Sequence, residues 1–181
     1  MDLVLTVQST GESVTLVQWR DPAYEHVSRV EFADGTVWDE AALEALVPNI
    51  GTAGDDYLIG TDLTDVLSGF AGNDALFGLA GDDLLDGGAG DDNLYGGDGN
   101  DTYLFGRGDG QDTIDSWDEN VGKRDILRFK NGVTETDIDV GRSNDDLTLT
   151  ISDAGDRVTV LGYFAEGGAG PHVLAEVRFD D

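Results

Sequence analysis

A nine-residue period governs the middle of this chain. From Gly51 the sequence divides without a gap into six nonapeptides: GTAGDDYLI, GTDLTDVLS, GFAGNDALF, GLAGDDLLD, GGAGDDNLY and GGDGNDTYL. Position one is always glycine (Gly51, Gly60, Gly69, Gly78, Gly87, Gly96) and position six always aspartate (Asp56, Asp65, Asp74, Asp83, Asp92, Asp101). Position eight is Leu58, Leu67, Leu76, Leu85, Leu94 and then Tyr103, and position four is glycine except at Leu63. Such a repeat dictates architecture, because one unit cannot bury its apolar residue alone and must stack on its neighbours.

Each nonapeptide reads as a turn followed by a short strand. Glycine at positions one and four permits a tight loop with φ > 0. Positions seven to nine are mostly apolar or β-prone, as in Tyr57-Leu58-Ile59 and Ala75-Leu76-Phe77. Strand alternation then sends position eight to one face. Two nonapeptides make one coil of a flattened right-handed helix, and stacked coils enclose a thin leucine core between two parallel sheets. The expected fold is all-β: a right-handed parallel β-roll over residues 51–104, flanked by antiparallel β capping segments at 1–50 and 105–181.

The acid is concentrated in the same region. Residues 51–115 hold 15 Asp, no Glu and a single base, Arg107, in a chain whose net charge is −28. An irregular pattern would suit a disordered acidic linker, but this one is periodic. Coils stacked at about 4.8 Å line up Asp56, Asp74 and Asp92 on one edge and Asp65, Asp83 and Asp101 on the other. Unit charges at that spacing repel by about 3–4 kcal/mol per pair at an effective dielectric of about 20, so the ladder calls for cations between its rungs. Carboxylates and loop carbonyls suit calcium, which takes about 6–8 oxygens in flexible geometry, better than magnesium. Folding coupled to calcium is the expectation.

The repeats resemble the RTX (repeats-in-toxin) family of calcium-binding nonapeptides, whose pattern is G-G-x-G-x-D-x-U-x with U a large apolar residue. Gly87-Gly88-Ala89-Gly90-Asp91-Asp92 and Gly96-Gly97-Asp98-Gly99-Asn100-Asp101 match it fully, whereas Thr52, Thr61, Phe70 and Leu79 stand at position two of the other repeats. The resemblance implies a calcium β-roll in a bacterial protein exported by a type I secretion system. It also implies about four to six Ca2+ ions. Each would be held by position-six carboxylates and loop oxygens at positions one and three: Gly51, Ala53 and Asp56; Gly60, Asp62 and Asp65; Gly69, Ala71 and Asp74; Gly78, Ala80 and Asp83; Gly87, Ala89 and Asp92; Gly96, Asp98 and Asp101. Ions would lie between Asp56 and Asp74, Asp65 and Asp83, Asp74 and Asp92, and Asp83 and Asp101. Leu63 breaks the pattern, since a branched side chain disfavours φ > 0. Gly106-Arg-Gly-Asp109-Gly-Gln-Asp112-Thr-Ile resembles the segment that closes such rolls, with Asp109 and Asp112 placed to cap the last ions against Asp92 and Asp101.

Beyond it come strand-like pieces at Asp125–Phe129, Asp137–Val140, Leu147–Ile151, Arg157–Leu161 and Val173–Phe179, with turns at Asn131-Gly132 and Ala154-Gly155. They read as an antiparallel sheet or sandwich packed on the open end of the roll. A longer repeat links the two flanks. Asp2-Leu-Val-Leu-Thr-Val7 matches Asp146-Leu-Thr-Leu-Thr-Ile151, and Val30-Glu-Phe32 matches Val177-Arg-Phe179. Residues 1–47 thus read as the tail of a preceding unit in a tandem array, or as a cap of the same ancestry. Asp39-Glu-Ala-Ala-Leu-Glu-Ala-Leu46 reads as a short helix with Asp39 as N-cap.

Other chemistries find little support. The chain has no Cys, so disulfides, thiolate catalysis and Cys-ligated zinc are excluded. The charge disfavours a nucleic-acid or anionic-membrane partner, no apolar run approaches a membrane span, and no ordinary secretory leader is expected. The period is nine without Glu, unlike a 12-residue EF-hand loop, and no Gly-Lys-Ser/Thr or His-Glu-x-x-His motif occurs. His26, His172, Trp19, Trp38 and Trp117 read as packing or surface residues, and Arg107-Gly108-Asp109 as a fragment of the closing loop. No nucleophile–base set points to an enzyme. The expected function is a calcium-binding module of a secreted or cell-surface protein, disordered without calcium and folding on extracellular calcium. Its partners are calcium and the type I secretion apparatus. The alternative is an adhesin or polysaccharide-binding accessory domain that recognises a glycan or a cell surface.

Overall fold

Alternation within each nonapeptide decides which side chains face inward. Positions six, eight and one of the next repeat lie on the same side of the chain, so aspartate, leucine and glycine share the interior. The computed structural model bears this out: in β8 (Ala75–Ala80) Leu76 and Gly78 are buried, as is Asp74 just before it. The structure describes residues 3–6, 13–16, 29–31, 37–39, 49–118, 123–165, 171–172 and 174–180.

The chain divides into two units, Met1–Val47 and Pro48–Asp181. In the first, β1 (Leu3–Thr6) pairs antiparallel with β2 (Ser13–Leu16), and β3 (Arg29–Glu31) with β4 (Val37–Asp39). Asp39 closes β4. The rest of the expected helix, with Trp19 and His26, lies outside the described residues.

In the second unit successive strands alternate between two sheets. One holds β6 (Tyr57–Ile59), β8, β10 (Asn93–Asp98) and β12 (Gln111–Asp115). The other holds β5 (Asn49–Ile50), β7 (Val66–Ala71), β9 (Leu84–Ala89), β11 (Thr102–Phe105) and β13 (Ile126–Phe129). All these pairings are parallel, and residues two repeats apart stand side by side: Leu58 beside Leu76 beside Leu94, and Leu67 beside Leu85 beside Tyr103. Leu67, Leu76, Leu85, Leu94 and Tyr103 are at most 1% exposed, which makes the leucine column the core.

The C-terminal flank continues the roll more than it covers it. β12 and β13 add one parallel rung to each sheet, and β16 (Arg157–Val160) and β17 (Glu176–Phe179) add another. Among the described residues of this flank, the antiparallel pairings are those of β14 (Ile138–Ser143) with β15 (Asp146–Ile151) and of β15 with β16. The reason is local: Asp112-Thr-Ile114 and Asp125-Ile-Leu127 repeat the Asp-x-apolar pattern of positions six to eight, so the interior is extended in kind. At this end the core turns aromatic. Phe129 packs edge-on against Phe105 at 6.0 Å and stacks on Phe179 at 5.0 Å between ring centroids. Leu147, Leu149 and Ile151 of β15 are buried beside them in the same core.

Candidate metal centre

The position-six aspartates form two hydrogen-bonded ladders, one per edge. On the first, the backbone N–H of Asp56 donates to Oδ1 of Asp74 (2.8 Å), that of Asp74 to Asp92 (2.7 Å), and that of Asp92 to Asp112 (3.1 Å). On the second, Asp65 donates to Asp83 (2.8 Å), Asp83 to Asp101 (3.0 Å) and Asp101 to Asp125 (3.0 Å). A second set runs the opposite way at position five. The N–H groups of Asn73, Asp91 and Asn100 donate to Oδ1 of Asp55, Asn73 and Asp82 at 2.8–2.9 Å. The turns that carry Asp55, Asn73 and Asp82 are therefore stapled to the next coil by two side chains.

From Asp74 onward, one oxygen of each ladder carboxylate is thus spoken for; the other is not. Oδ2 of Asp74, Asp83, Asp92, Asp101 and Asp112 is buried without a hydrogen-bond partner. Its location explains the invariant glycine. A Cβ on Gly69 or Gly78 would lie under 3.0 Å both from Oδ2 of Asp74 or Asp83 in its own repeat and from the carbonyl oxygen of Gly87 or Gly96 one coil further on. A carboxylate oxygen and a position-one carbonyl from the next coil thus converge beside each of these glycines. The position-three carbonyls of Ala89 and Asp98 accept the N–H groups of Gly72 and Gly81, each at 2.9 Å, and so also face the turn of the preceding coil. Ala71 and Ala80 end their strands half-buried, while Ala53 and Asp62 are exposed.

Burial dominates the electrostatics. It pushes the carboxyls of Asp83 and Asp92 up to about 6, Asp101 to about 7 and Asp112 to about 8, against the pull of the backbone N–H each accepts. Asp74 and Asp125 are raised for the same reason. Each rung contributes one buried leucine, worth about 1.5–3 kcal/mol, and one like-charge neighbour, costing about 3–4 kcal/mol at an effective dielectric of about 20. The charged ladder thus opposes its core, and a cation or protons would relieve it.

The first two repeats are built differently. Oδ2 of Asp56 accepts the backbone N–H (2.6 Å) and hydroxyl (2.9 Å) of Thr52, and Oδ2 of Asp65 those of Thr61 (2.6 and 2.8 Å). In the other four repeats position two has positive φ, even where it is not glycine: 73° at Phe70, 81° at Leu79, 96° at Gly88 and 95° at Gly97. Thr52 and Thr61 do not adopt it, nor do Gly54 and Leu63 at position four. Leu63, where the repeat pattern breaks, is not what sets its loop apart: repeat one takes the same form with Gly54 in that place, and threonine at position two is what the two share.

At the closing end, Asp112 stands where expected, beside Asp92. Asp109 does not reach Asp101; its carboxylate accepts the Gly106 N–H (2.7 Å) and pairs with Lys130 Nζ (2.8 Å), which also pairs with Asp86 (2.6 Å). The place beside Asp101 belongs to Asp125, whose Oδ2 lies 3.0 Å from Lys123 Nζ. Residues 107–115 are in fact a seventh repeat displaced by two residues: Gly108 and Gly110 take positive φ at 87° and 96°, as positions two and four do, and the Asp109 carbonyl accepts the Gly90 N–H (2.8 Å). Asp118, buried, accepts the Gly99 N–H (3.2 Å) in place of a position-three carbonyl. The sequence signals for the missed Asp125 were its Asp-x-Leu spacing and its place before a strand. Burial of Asp109 removes Arg107-Gly108-Asp109 from consideration as a displayed tripeptide. His172 Nδ1 lies 3.1 Å from Asp115 Oδ1, away from both ladders.

Among the described residues no point gathers three or more acidic or histidine side chains. The donor set is instead one carboxylate oxygen per turn with carbonyl oxygens of the next coil, all hard and neutral or anionic. That set fits calcium, which accepts mixed carbonyl and carboxylate shells. Soft or nitrogen-preferring metals find no ligands in it.

Fold and site together define a parallel β-roll with acidic, oxygen-lined edge turns. Residues 50–85, 68–103 and 77–114 each match the family described as RTX calcium-binding nonapeptide repeat (4 copies), so the segment 50–114 belongs to the RTX calcium-binding repeats. Residues 2–42 match a haemolysin-type calcium binding protein related domain. A stretch of 79 residues, 44% of this chain, is 38% identical to the iron-regulated protein FrpA of Neisseria meningitidis serogroup C, spanning 7% of that relative's length. Among solved structures, a subunit of the Azotobacter vinelandii mannuronan C5-epimerase is 29% identical (TM-score 0.48; 69% of this chain, 80% of that one). The extracellular lipase LipA of Serratia marcescens is 21% identical (TM-score 0.48; 96% of this chain, 26% of that one). Residues 50–114 are thus calcium-binding repeats folded as a β-roll.

Proposed function

We propose that this chain is a non-catalytic module that stays unfolded where calcium is scarce and folds where it is plentiful, outside the cell after type I export. The observation that carries the reading is the set of five buried carboxylate oxygens, on Asp74, Asp83, Asp92, Asp101 and Asp112, that have no hydrogen-bond partner. Bound calcium would supply the divalent charge that their repulsion lacks. The chain's own contribution is to present a carboxylate and a carbonyl at a fixed spacing on each coil, and to leave no side chain at position one. Extracellular modules of this kind bind at about 10⁻⁴–10⁻³ M, above cytosolic calcium and within reach of extracellular calcium.

Far-UV circular dichroism against calcium concentration tests it. β signal should appear cooperatively near millimolar calcium, and magnesium should not replace it. A roll already folded in excess chelator overturns the proposal. A second reading, glycan binding at a cell surface, draws on the outward row in which Phe77 and Tyr95 stack at 4.6 Å with Tyr57 tilted against them at 4.9 Å. Hits on a glycan array that are lost in Tyr95→Ala support it; an array without hits leaves the calcium module alone.

A further inference from the structure

We infer that Thr52 and Thr61 stand in for the metal at the first turn of each edge, so that calcium binding begins at the third repeat. The inference rests on the calcium reading above and narrows it. Of the four ion positions implied by the repeat pattern, two involve Asp56 and Asp65, and there the residues do not fit a cation.

Both donors of each threonine are committed. The amide and hydroxyl converge on Oδ2 of Asp56 at 2.6 and 2.9 Å and of Asp65 at 2.6 and 2.8 Å. The hydroxyl oxygens also accept the N–H groups of Gly54 and Leu63, each at 3.2 Å, which fixes their orientation. Oδ2 of these two aspartates therefore holds two donors, where the same oxygen in Asp74, Asp83, Asp92, Asp101 and Asp112 holds none. A cation at Asp56 or Asp65 would have to displace both.

The cause is the residue at position two. Threonine is β-branched and avoids positive φ, so its N–H turns toward the carboxylate. Glycine adopts positive φ freely, and Phe70 and Leu79 adopt it here at 73° and 81°. Neither of those two side chains has a donor to offer. The first two turns thus satisfy their acid with protons of the chain itself, and can close without metal.

The test is the number of calcium ions bound per chain, counted by native mass spectrometry and by equilibrium dialysis with radioactive calcium. Thr52→Gly turns the first repeat into Gly-Gly-Ala-Gly-Asp-Asp, identical to residues 87–92. It should add one ion to the wild-type count. Asp56→Asn with Asp65→Asn should leave the wild-type count unchanged, whereas Asp74→Asn with Asp83→Asn should lower it. An unchanged count in Thr52→Gly, or a lower count in the Asp56/Asp65 variant, overturns the inference while leaving the calcium module intact. A wild-type chain that binds no calcium overturns both.

Discussion

At the scale of single residues, the position-one glycines leave room that a side chain would close. Gly78 faces Oδ2 of Asp83 and the Gly96 carbonyl, both under 3.0 Å from where a Cβ would be. Gly78→Ala should therefore destabilise the calcium-loaded roll by about 1–3 kcal/mol, the usual cost of overpacking, measured by thermal melting in calcium; an unchanged melt contradicts the geometry. Position two behaves oppositely. Phe70 is 56% exposed and holds φ at 73°, a strained conformation for a bulky side chain. Phe70→Gly should raise stability by about 1 kcal/mol, and a lower melting temperature would show that the exposed ring has a packing role. Asp83→Ala removes a charge-assisted contact worth about 1.5–3 kcal/mol and should raise the calcium midpoint at least about tenfold. Leu63→Gly, which the repeat pattern alone marks as a gain, should change that midpoint little, because Thr61 shapes the loop and Leu63 is 51% exposed.

At the scale of elements, the buried edge ladders link folding to protons, and under the proposed function to calcium as well. Unfolded aspartates titrate near about 3.9, while in the metal-free fold Asp83 and Asp92 stand at about 6, Asp101 at about 7 and Asp112 at about 8. From about pH 8 down to pH 4 the folded state binds more protons than the unfolded one, so its stability rises as pH falls. In chelator, acidification from pH 8 to pH 5 should increase β signal, and a flat or falling signal would contradict the burial of these groups. Calcium-loaded chain should show the reverse, since protons compete for the same oxygens. The closing strands matter equally. Truncation after Leu104 removes β12 and β13, which pair with β10 and β11 and bring Asp112 and Asp125 to the ladder ends. That fragment should aggregate or fail to fold at millimolar calcium; a fragment that folds as well as the full chain shows the flank dispensable.

At the scale of the whole molecule, what the sequence made legible follows from what is periodic in it. A strict period of nine fixes the pairing of residues two repeats apart, and with it the leucine column, both aspartate edges and the two parallel sheets. Where the period slips, legibility goes too. The insertion of Phe105-Gly106 hides the seventh repeat, and the 24-residue step from Asp101 to Asp125 hides the end of the second ladder. Thr52 and Thr61 look like drift in a column that holds glycine only at Gly88 and Gly97; only hydrogen-bond geometry reveals them as donors. Asp or Asn stands at position five of every repeat but the second, and the staple role of these residues depends on a backbone direction that composition does not encode. Residues 1–47, a separate unit, should be removable with little effect on the calcium midpoint of the rest.

Under the proposed function, the roll forms because cations relieve the charge on its edges. Hydrogen–deuterium exchange of the full chain, read residue by residue in chelator and in millimolar calcium, addresses it most directly. The N–H groups of Asp74, Asp83, Asp92 and Asp101, each donated to the carboxylate of the next coil, should exchange as in an unfolded chain in chelator and be strongly protected in calcium. Strong protection of those four amides in chelator at neutral pH would contradict the account.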